Sequence, residues 1–324
     1  MSLALFALNA SADLGQEIAR DLWVSLAPHE ERAFEDGEHK IRPLDSVEGA
    51  DVYVIQSLHS DPEQNAADKL CRLLFFIGAL KDSGASRVTA VTPYLCFARK
   101  DRRTKPRDPV TIRYLAAMFE SVGTDAIITL DVHNPAAFEN AFRCRTITAT
   151  AAPLFINYAK RLDVPRLAVV TPDSGGAKRA ELLREALEAA QGKPVGKGFV
   201  EKHRSAGVVS GDLFVGDVTD ATTFIVDDLI STGTTLVRAA KAARQAGARH
   251  VLAMVTHGLF MPGAEVAVTD PAIDRVVITD SVPPFRLDSV AAREKLITLP
   301  IAPLFAEIIR RLHGGQALAD LLIY

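Results

Sequence analysis

Runs rich in apolar residues alternate with longer stretches of mixed polarity along this chain of 324 residues. Three runs, at 51–56, 87–93 and 126–130, have the length and composition of strands in a buried sheet. Between the first two, 63–81 carries the longer mixed pattern that is typical of a helix against a sheet. Because such strands and helices alternate with short links, the pattern predicts an α/β fold with mainly parallel sheets flanked by helices.

The same alternation begins again near residue 151, and the chain is long enough for two domains of ordinary size. In this second half we predict helices at 152–161 and 177–190 around a strand at 166–170. A closing amphipathic helix is predicted at 299–312, where apolar residues recur at helical spacing. The sequence therefore predicts two α/β domains, although no convincing residue-level repeat relates the two halves.

The stretch 224–236, FIVDDLISTGTTL, concentrates the candidate chemistry of the second half. Its first three residues predict the end of a buried strand, Asp227 and Asp228 follow, and a hydroxyl-rich turn then precedes a predicted helix. First-turn N–H groups lack partners and the helix dipole is positive there, so this turn suits a phosphate. Gly233 lets the backbone approach that ligand closely. The aspartates would face ribose hydroxyls or a metal bound to them; the alternative is an ordinary turn with a threonine N-cap.

Two further predicted strands end in chemically useful residues. The strand at 126–130 leads to Asp131 and His133, and the strand at 166–170 leads to TPDSGG at 171–176, where an acid and a flexible turn precede a helix. Ligands of open α/β sheets gather at this end of the strands. Taken alone, His133 is either a ligand or a hydrogen-bonded structural histidine.

Two charged segments are predicted as loops. The segment 97–109, FARKDRRTKPRDP, holds six Lys or Arg residues within thirteen, and we interpret it either as a solvated loop or as a phosphate-binding or subunit-contact loop. The segment 192–217 is rich in Gly, Lys and Arg and carries EKHR at 201–204. It is predicted to be a long mobile loop, either a lid or a surface insertion. A shorter charged turn at 32–38 precedes a predicted strand at 40–43.

Composition and charge exclude several classes of protein. The net charge of −3 gives no general attraction to nucleic acid or to an anionic membrane. No run approaches the ~20 apolar residues of a membrane span, and the N-terminus lacks the basic start of a signal peptide. The three cysteines have neither the number nor the spacing of a disulfide framework or a zinc cluster. We therefore expect a cytoplasmic protein.

Taken together, the motifs resemble those of the ribose-phosphate pyrophosphokinases, also called phosphoribosyl pyrophosphate (PRPP) synthetases. The stretch 224–236 resembles the PRPP loop of type I phosphoribosyltransferases, which alone does not separate synthetases from base transferases. The similarity covers nearly the whole chain, from about residue 34 to the final helix. Its other motifs stand in order along the chain: FEDGE at 34–38, the basic stretch 93–108, TLDVHNP at 129–135, TPDSGG at 171–176 and EKHR at 201–204.

The resemblance implies an architecture and a reaction. The two domains, 1–148 joined by the C-terminal helix 300–324, and 149–299, would each have the phosphoribosyltransferase fold. The C1 hydroxyl of ribose 5-phosphate would attack the β-phosphorus of ATP bound with Mg²⁺, giving PRPP and AMP. Such a transfer needs charge neutralisation and in-line positioning more than covalent help from the protein. Family ATP sites often include residues of a neighbouring subunit, so a homo-oligomer is implied.

The resemblance also implies a role for each candidate residue. The implied magnesium ligands are His133 and Asp173, and the implied catalytic cations are Lys202 and Arg204. The residues implied in ATP binding belong to two motifs: Phe34, Asp36, Gly37, Glu38, Arg99, Lys100 and Asp101. The residues implied in binding ribose 5-phosphate lie mainly in the PRPP loop: Arg204, Asp227, Asp228, Ser231, Thr232, Gly233, Thr234 and Thr235.

Four positions depart from the commonest bacterial pattern of the family: Lys100, Ser174, His203 and Ser231. Two other functions are weighed against an active synthetase. One is a non-catalytic regulatory homologue, against which the retained magnesium ligands and loop cations argue. The other is a phosphoribosyltransferase that consumes PRPP, against which the doubled domain and the EKHR segment argue.

Overall fold

The computed structural model of the chain describes residues 1–162, 164–205 and 208–322, with the side chains of Ser174, 201–205 and 208–213 left aside. The chain forms two compact units, Met1–Thr150 with Ile301–Tyr324, and Ala151–Pro300, called unit 1 and unit 2 below. Within the described residues, no helix is both long enough and apolar enough to cross a membrane.

Unit 1 is built around a five-stranded parallel sheet with the order β1-β4-β5-β6-β7. Its strands, including a separate antiparallel pair β2–β3, are β1 (Leu3–Ala7), β2 (His29–Ala33), β3 (His39–Pro43), β4 (Asp51–Ile55), β5 (Arg87–Thr92), β6 (Ala126–Leu130) and β7 (Arg145–Ala149). Its helices before the chain enters unit 2 are α1 (Ala12–Leu22), α2 (Ala66–Asp82), α3 (Thr111–Ser121) and α4 (Pro135–Ala141).

Local chemistry fixes where these elements begin. The N-cap of α2 is Asn65, whose side chain accepts hydrogen bonds from the N–H groups of Ala67 and Asp68. This cap starts the helix three residues later than the apolar periodicity alone indicated. The strands β4 and β6 are buried along their whole length, as expected for the interior of a sheet covered on both faces.

Unit 2 contains a seven-stranded sheet with the order β10-β9-β8-β11-β12-β13-β14, in which only β9 and β10 pair antiparallel. Its strands are β8 (Leu167–Thr171), β9 (Val195–Ser205), β10 (Val208–Gly216), β11 (Thr222–Ile230), β12 (His250–Gly258), β13 (Arg275–Thr279) and β14 (Leu296–Leu299). Its helices are α5 (Ala152–Lys160), α6 (Ala177–Gln191), α7 (Thr234–Gln245), α8 (Ala264–Thr269) and α9 (Val290–Lys295). The prediction of an α/β fold with mainly parallel sheets is confirmed.

Two details of unit 2 correct the sequence-based expectations. The segment 192–217 is not a structureless loop, because β9 and β10 occupy most of it and pair with each other at the edge of the sheet. The strand at 224–226 also does not stop before the acids. Since β12 continues to pair with β11 as far as Gly258, Asp227 and Asp228 lie within the strand.

The last helix, α10 (Ala302–His313), belongs to unit 1 and packs on α1. Its end is fixed by the buried carboxylate of Asp51, which accepts hydrogen bonds from Nδ1 of His313 at 2.7 Å, from Nε of Arg87 at 2.6 Å and from the hydroxyl of Tyr53 at 3.1 Å. Burial acts to raise the pKa of Asp51, but the bonds from Arg87 and His313 outweigh it and hold this pKa below its ordinary value.

Candidate functional site

The turn after β11 has the geometry of an anion site. Gly233 is the N-cap of α7 and has φ +77°. A Cβ on this residue would lie 2.4 Å from the Cβ of Ala267 in α8, so the turn requires glycine for its backbone angle and for space. The hydroxyls of Thr232 and Thr234 are 3.1 Å apart and both residues are exposed. The first N–H groups of α7 and these hydroxyls can therefore receive a phosphate from solvent.

A second loop braces this turn from behind. The N–H groups of Leu259 and Phe260 donate to the carbonyl of Ile230, and the N–H of Met261 donates to the carbonyl of Ser231 at 3.0 Å. These backbone bonds hold the end of β11 against the end of β12. Sequence reasoning missed this brace, because main-chain pairing between distant loops leaves no residue pattern.

The paired acids of β11 share one cation. Nη1 of Arg179, in α6, lies 3.3 Å from Oδ1 of Asp228 and 3.8 Å from Oδ1 of Asp227. Burial raises the pKa of Asp227, and the neighbouring Asp228 raises it further, while Arg179 acts in the opposite direction. Sequence reasoning gave Arg179 no role, although its place in the first turn of the helix after TPDSGG was a usable signal.

The end of β8 brings a further acid to the same edge of the sheet. The strand β8 pairs with β11, and Asp173 follows its last residue, Thr171, after one proline. The hydroxyl of Thr171 donates to the carbonyl of Asp173 at 2.7 Å, and Oδ1 of Asp173 accepts from the N–H of Gly175 at 2.9 Å. The Asp173 side chain is exposed, so its carboxylate is accessible to a cation.

The strand β9 continues past the carboxyl end of its neighbour β8. Phe199 pairs with Thr171, the last residue of β8, so 200–205 run past the end of β8. Lys202 pairs with Asp212, and Arg204 with Val209, in the register of β9 with β10. The side chains of Lys202 and Arg204 lie outside the described part of the structure, so their roles remain predictions.

In unit 1, the end of β6 presents His133. Asp131, two residues before His133, is buried and has φ +38°, a conformation that costs a non-glycine residue about 1–3 kcal/mol. His133 is exposed, and Asn134 caps α4 by accepting from the N–H of Ala137. Nδ2 of Asn134 also donates to Oδ2 of Asp101 at 2.5 Å. This bond places Asp101 of the basic segment next to the strand end that carries His133.

The basic segment is organised by one of its own acids. Oδ2 of Asp108 accepts from Nζ of Lys100 at 2.5 Å, from the hydroxyl and N–H of Thr104, and from the N–H of Lys105. The bond from Lys100 is the main cause that holds the pKa of Asp108 well below its usual range. Lys100 therefore stabilises the loop, whereas the neighbouring Arg99 is exposed.

The remaining predicted ATP-site motif lies at the tip of the β2–β3 hairpin. The N–H of Phe34 donates to the carbonyl of Glu38, and Gly37 takes φ +90° to close the turn. Phe34, Asp36 and Glu38 are all exposed. The hairpin thus offers an aromatic ring and two carboxylates on an open surface.

The structure groups the predicted residues into two sets, one in each unit. In unit 2, the acids of β11, the turn before α7 and Asp173 lie at the carboxyl ends of the neighbouring strands β11 and β8. In unit 1, His133 follows β6 near Asp101. Among the described residues, no cluster of three or more His, Cys, Asp or Glu side chains forms a ready-made metal cage. The carboxylate of Asp173 is nevertheless the kind of oxygen donor that Mg²⁺ accepts, and Mg²⁺ keeps several waters and needs only one or two protein carboxylates.

Similarity to known proteins extends over both units of the chain. Residues 3–123 match the family model described as the N-terminal domain of ribose phosphate pyrophosphokinase, and 210–323 match the phosphoribosyl synthetase-associated domain. The chain is 34% identical to the ribose-phosphate pyrophosphokinase of Haemophilus ducreyi, with 98% of each chain covered. It is 33% identical to ribose-phosphate pyrophosphokinase 4 of Saccharomyces cerevisiae, covering 99% of this chain and 94% of that one.

A solved structure agrees with these relatives. The phosphoribosylpyrophosphate synthetase of Mycobacterium smegmatis superposes with a TM-score of 0.85 at 30% identity, covering 97% of this chain and all of that one. Sequence and fold thus lead to the same conclusion: the chain belongs to the ribose-phosphate pyrophosphokinase family.

Proposed function

We propose that this enzyme transfers the β,γ-diphosphoryl group of ATP to the C1 hydroxyl of ribose 5-phosphate, giving PRPP and AMP. The observation that carries the proposal is the set of side chains at the carboxyl ends of β8 and β11 in unit 2. There, two carboxylates near the end of β11 lie a few residues before an exposed, hydroxyl-rich helix N-terminus, and Asp173 follows the end of the neighbouring strand β8. A sugar phosphate has the complementary pattern, with ribose hydroxyls that donate to carboxylates and a terminal phosphate that accepts from N–H groups.

In the proposed reaction, different residues bind the sugar, hold its phosphate and stabilise the transferring group. Asp227 and Asp228 orient the ribose hydroxyls, and the turn from Ser231 to Thr235 holds the 5-phosphate. The C1 oxygen then forms a bond to the β-phosphorus while the bond from that phosphorus to the oxygen of the α-phosphate breaks. AMP leaves, and the C1 hydroxyl loses its proton. Lys202 and Arg204 stabilise the negative charge that develops on the transferring group.

Mg²⁺ is the proposed cofactor, with His133 and Asp173 as its protein ligands. When bound, it supplies neutralisation of the triphosphate charge. The support from this structure is that both side chains are exposed and follow the carboxyl ends of parallel strands. In this assignment, the domain 1–148 with 300–324 carries the ATP-site motifs, and the domain 149–299 carries the ribose 5-phosphate loop.

ATP would be bound by the hairpin tip at 34–38 and by Arg99, Lys100 and Asp101. The hairpin tip is exposed, as expected for a surface completed by a second copy of the chain, so we propose a homo-oligomer. No nucleic-acid or membrane partner is proposed. All three cysteines are free, which supports a reducing, cytoplasmic setting.

The deciding experiment incubates the pure protein with MgATP and ribose 5-phosphate and follows the products by ³¹P NMR. We expect equal amounts of AMP and PRPP. Formation of ADP would instead indicate transfer of a single phosphoryl group, and no turnover would favour the regulatory homologue. Consumption of PRPP with a purine or pyrimidine base would favour a phosphoribosyltransferase.

A matched pair of variants tests the metal assignment. Asp173→Asn should lower turnover at least about 100-fold and move the Mg²⁺ activation midpoint to higher concentration. Asp288→Asn is the control, since its side chain is 89% exposed in the loop before α9. Equal Mg²⁺ midpoints for the two variants would refute Asp173 as a ligand.

A further inference from the structure

Arg179 is the cation of the paired-acid cluster and has no role in the function proposed above. Its side chain is 18% exposed, and those of Asp227 and Asp228 are 26% and 6% exposed. The three groups are thus partly shielded from water. Charges in such a position interact more strongly than charges on an open surface. One guanidinium serves two carboxylates, at 3.3 Å from Asp228 and 3.8 Å from Asp227.

The described surroundings of the pair place Arg179 where its charge opposes the repulsion between the two carboxylates. On β11 itself, Asp227 faces the charge of Asp228, whose N–H also donates to Oδ1 of Asp227 at 2.9 Å. On β12, the residue opposite Asp227 is the apolar Val255, and β8 pairs with β11 only as far as Ile225. From α6, Arg179 supplies the facing positive charge.

Two adjacent, shielded carboxylates without a cation share a proton, because their like charges disfavour double ionisation. A protonated carboxyl loses an acceptor for a ribose hydroxyl and gains a proton that competes for the same space. The cation that suppresses this protonation therefore controls whether the acids can receive a sugar.

We propose that Arg179 is a positioning residue that opposes protonation of the Asp227–Asp228 pair and orients the two carboxylates for the hydroxyls of ribose 5-phosphate, and so sets the lower limit of the pH range in which the sugar binds. The proposal rests on the proposed function for the identity of the sugar. The chemical role of Arg179 is independent of it, because the charge state of the acids is measurable without any substrate.

The kinetic test compares Arg179→Gln, Arg179→Lys and Arg184→Gln with the unaltered enzyme between about pH 6 and about pH 9. Arg184 is the matched control: it lies on the same helix, its side chain is 17% exposed, and its partners Glu181 and Glu188 lie on α6 itself. We expect Arg179→Gln to raise KM for ribose 5-phosphate about ten-fold or more at neutral pH, the scale of a lost charged hydrogen bond.

The rise in KM should shrink towards high pH, where the acids ionise even without the guanidinium. Arg179→Lys should recover a large part of the loss, and KM for ATP should change by no more than a few fold. Arg184→Gln should keep the unaltered profile. A rise in both KM values that does not depend on pH would show that Arg179 only supports the fold, and would overturn the proposal.

The second measurement uses no substrate. The side-chain carboxyl carbon of Asp227, labelled with ¹³C-aspartate and assigned through Asp227→Asn, is titrated by NMR in the unaltered and Arg179→Gln proteins. We expect a higher titration midpoint in the variant, with thermal melts confirming that both are folded. An unchanged midpoint overturns the role of Arg179 even if the enzyme makes PRPP. A raised midpoint in a protein that makes no PRPP refutes the proposed function instead and leaves the charge role standing.

Discussion

Replacing Gly233 by alanine tests whether the turn after β11 must have its observed geometry. The residue has φ +77°, and a Cβ there would lie 2.4 Å from the Cβ of Ala267. The left-handed backbone alone costs alanine about 1–2 kcal/mol relative to glycine. Carbon atoms pack at about 3.5–4.0 Å, so α8 or the turn must move by more than about 1 Å, and such overpacking costs about 1–3 kcal/mol more.

The neighbouring Gly263 provides a control that separates these two contributions. It is the N-cap of α8, has φ +93° and has open space where a Cβ would stand. Gly263→Ala therefore carries the backbone strain without the clash, and should cost about 1–2 kcal/mol. We expect Gly233→Ala to lower the free energy of unfolding by about 2–5 kcal/mol, measured by denaturant titration.

Under the proposed function, we expect the kinetic effect of Gly233→Ala to be specific to ribose 5-phosphate. A displaced turn no longer aims its N–H groups and hydroxyls at one point, so KM for ribose 5-phosphate should rise at least about ten-fold while KM for ATP stays within a few fold. The double variant Gly233→Ala with Ala267→Gly removes the clash and should recover part of the affinity. Equal effects of Gly233→Ala and Gly263→Ala on stability and on KM would refute the steric argument.

Three further predictions concern Lys202, Asp227 and Asp51. Lys202→Ala should lower turnover by several orders of magnitude and leave ATP affinity within a few fold, and an equal loss of ATP binding would show that the lysine only recruits substrate. Asp227→Asn should raise KM for ribose 5-phosphate more than KM for ATP, with the opposite ranking as the refuting result. Asp51→Asn should destabilise the chain by roughly 2–3 kcal/mol, less than a fully buried pair because Arg87 remains 33% exposed. The pKa of Asp51 is lower in the folded chain than in the unfolded chain, where it is about 3.9. The stability that Asp51 contributes is therefore present above the unfolded pKa and is lost as the pH falls through the folded pKa. The free energy of unfolding of Asp51→Asn should consequently fall less in acid than that of the unaltered chain.

The sequence carried enough information for the parallel sheets and for the hydroxyl-rich turn before α7, because both are local patterns. Apolar strands such as β4 and β6 are recognisable on their own, and the acids of β11 and the glycine and hydroxyls of the turn after it lie within ten residues. What the sequence misjudged was the extent of β11. Strand length depends on how far the neighbour β12 continues to pair, and that is decided by residues some thirty positions away.

Elements that depend on distant partners were missed. In the hairpin of β9 and β10, the apolar residues occur in short groups interrupted by glycines and charged residues, and the strands pair with each other at the side of the sheet, so neither strand stands out as a continuous apolar run. Arg179 was missed for a related reason: its partners Asp227 and Asp228 lie about fifty residues further along. Asp108 was treated as one residue of a basic loop, although it is the acceptor around which that loop folds.

The chain leaves unit 1 at Thr150 and returns to it only at Ile301. During synthesis on a ribosome, all of unit 2 emerges before α10 can cover α1 and before His313 can reach Asp51. In nascent unit 1, the apolar face of α1 therefore stays uncovered during the synthesis of unit 2, which is about as large as unit 1 itself. A stop codon or a protease that removes the segment after Pro300 would therefore destabilise unit 1, although most of unit 1 lies at the opposite end of the sequence.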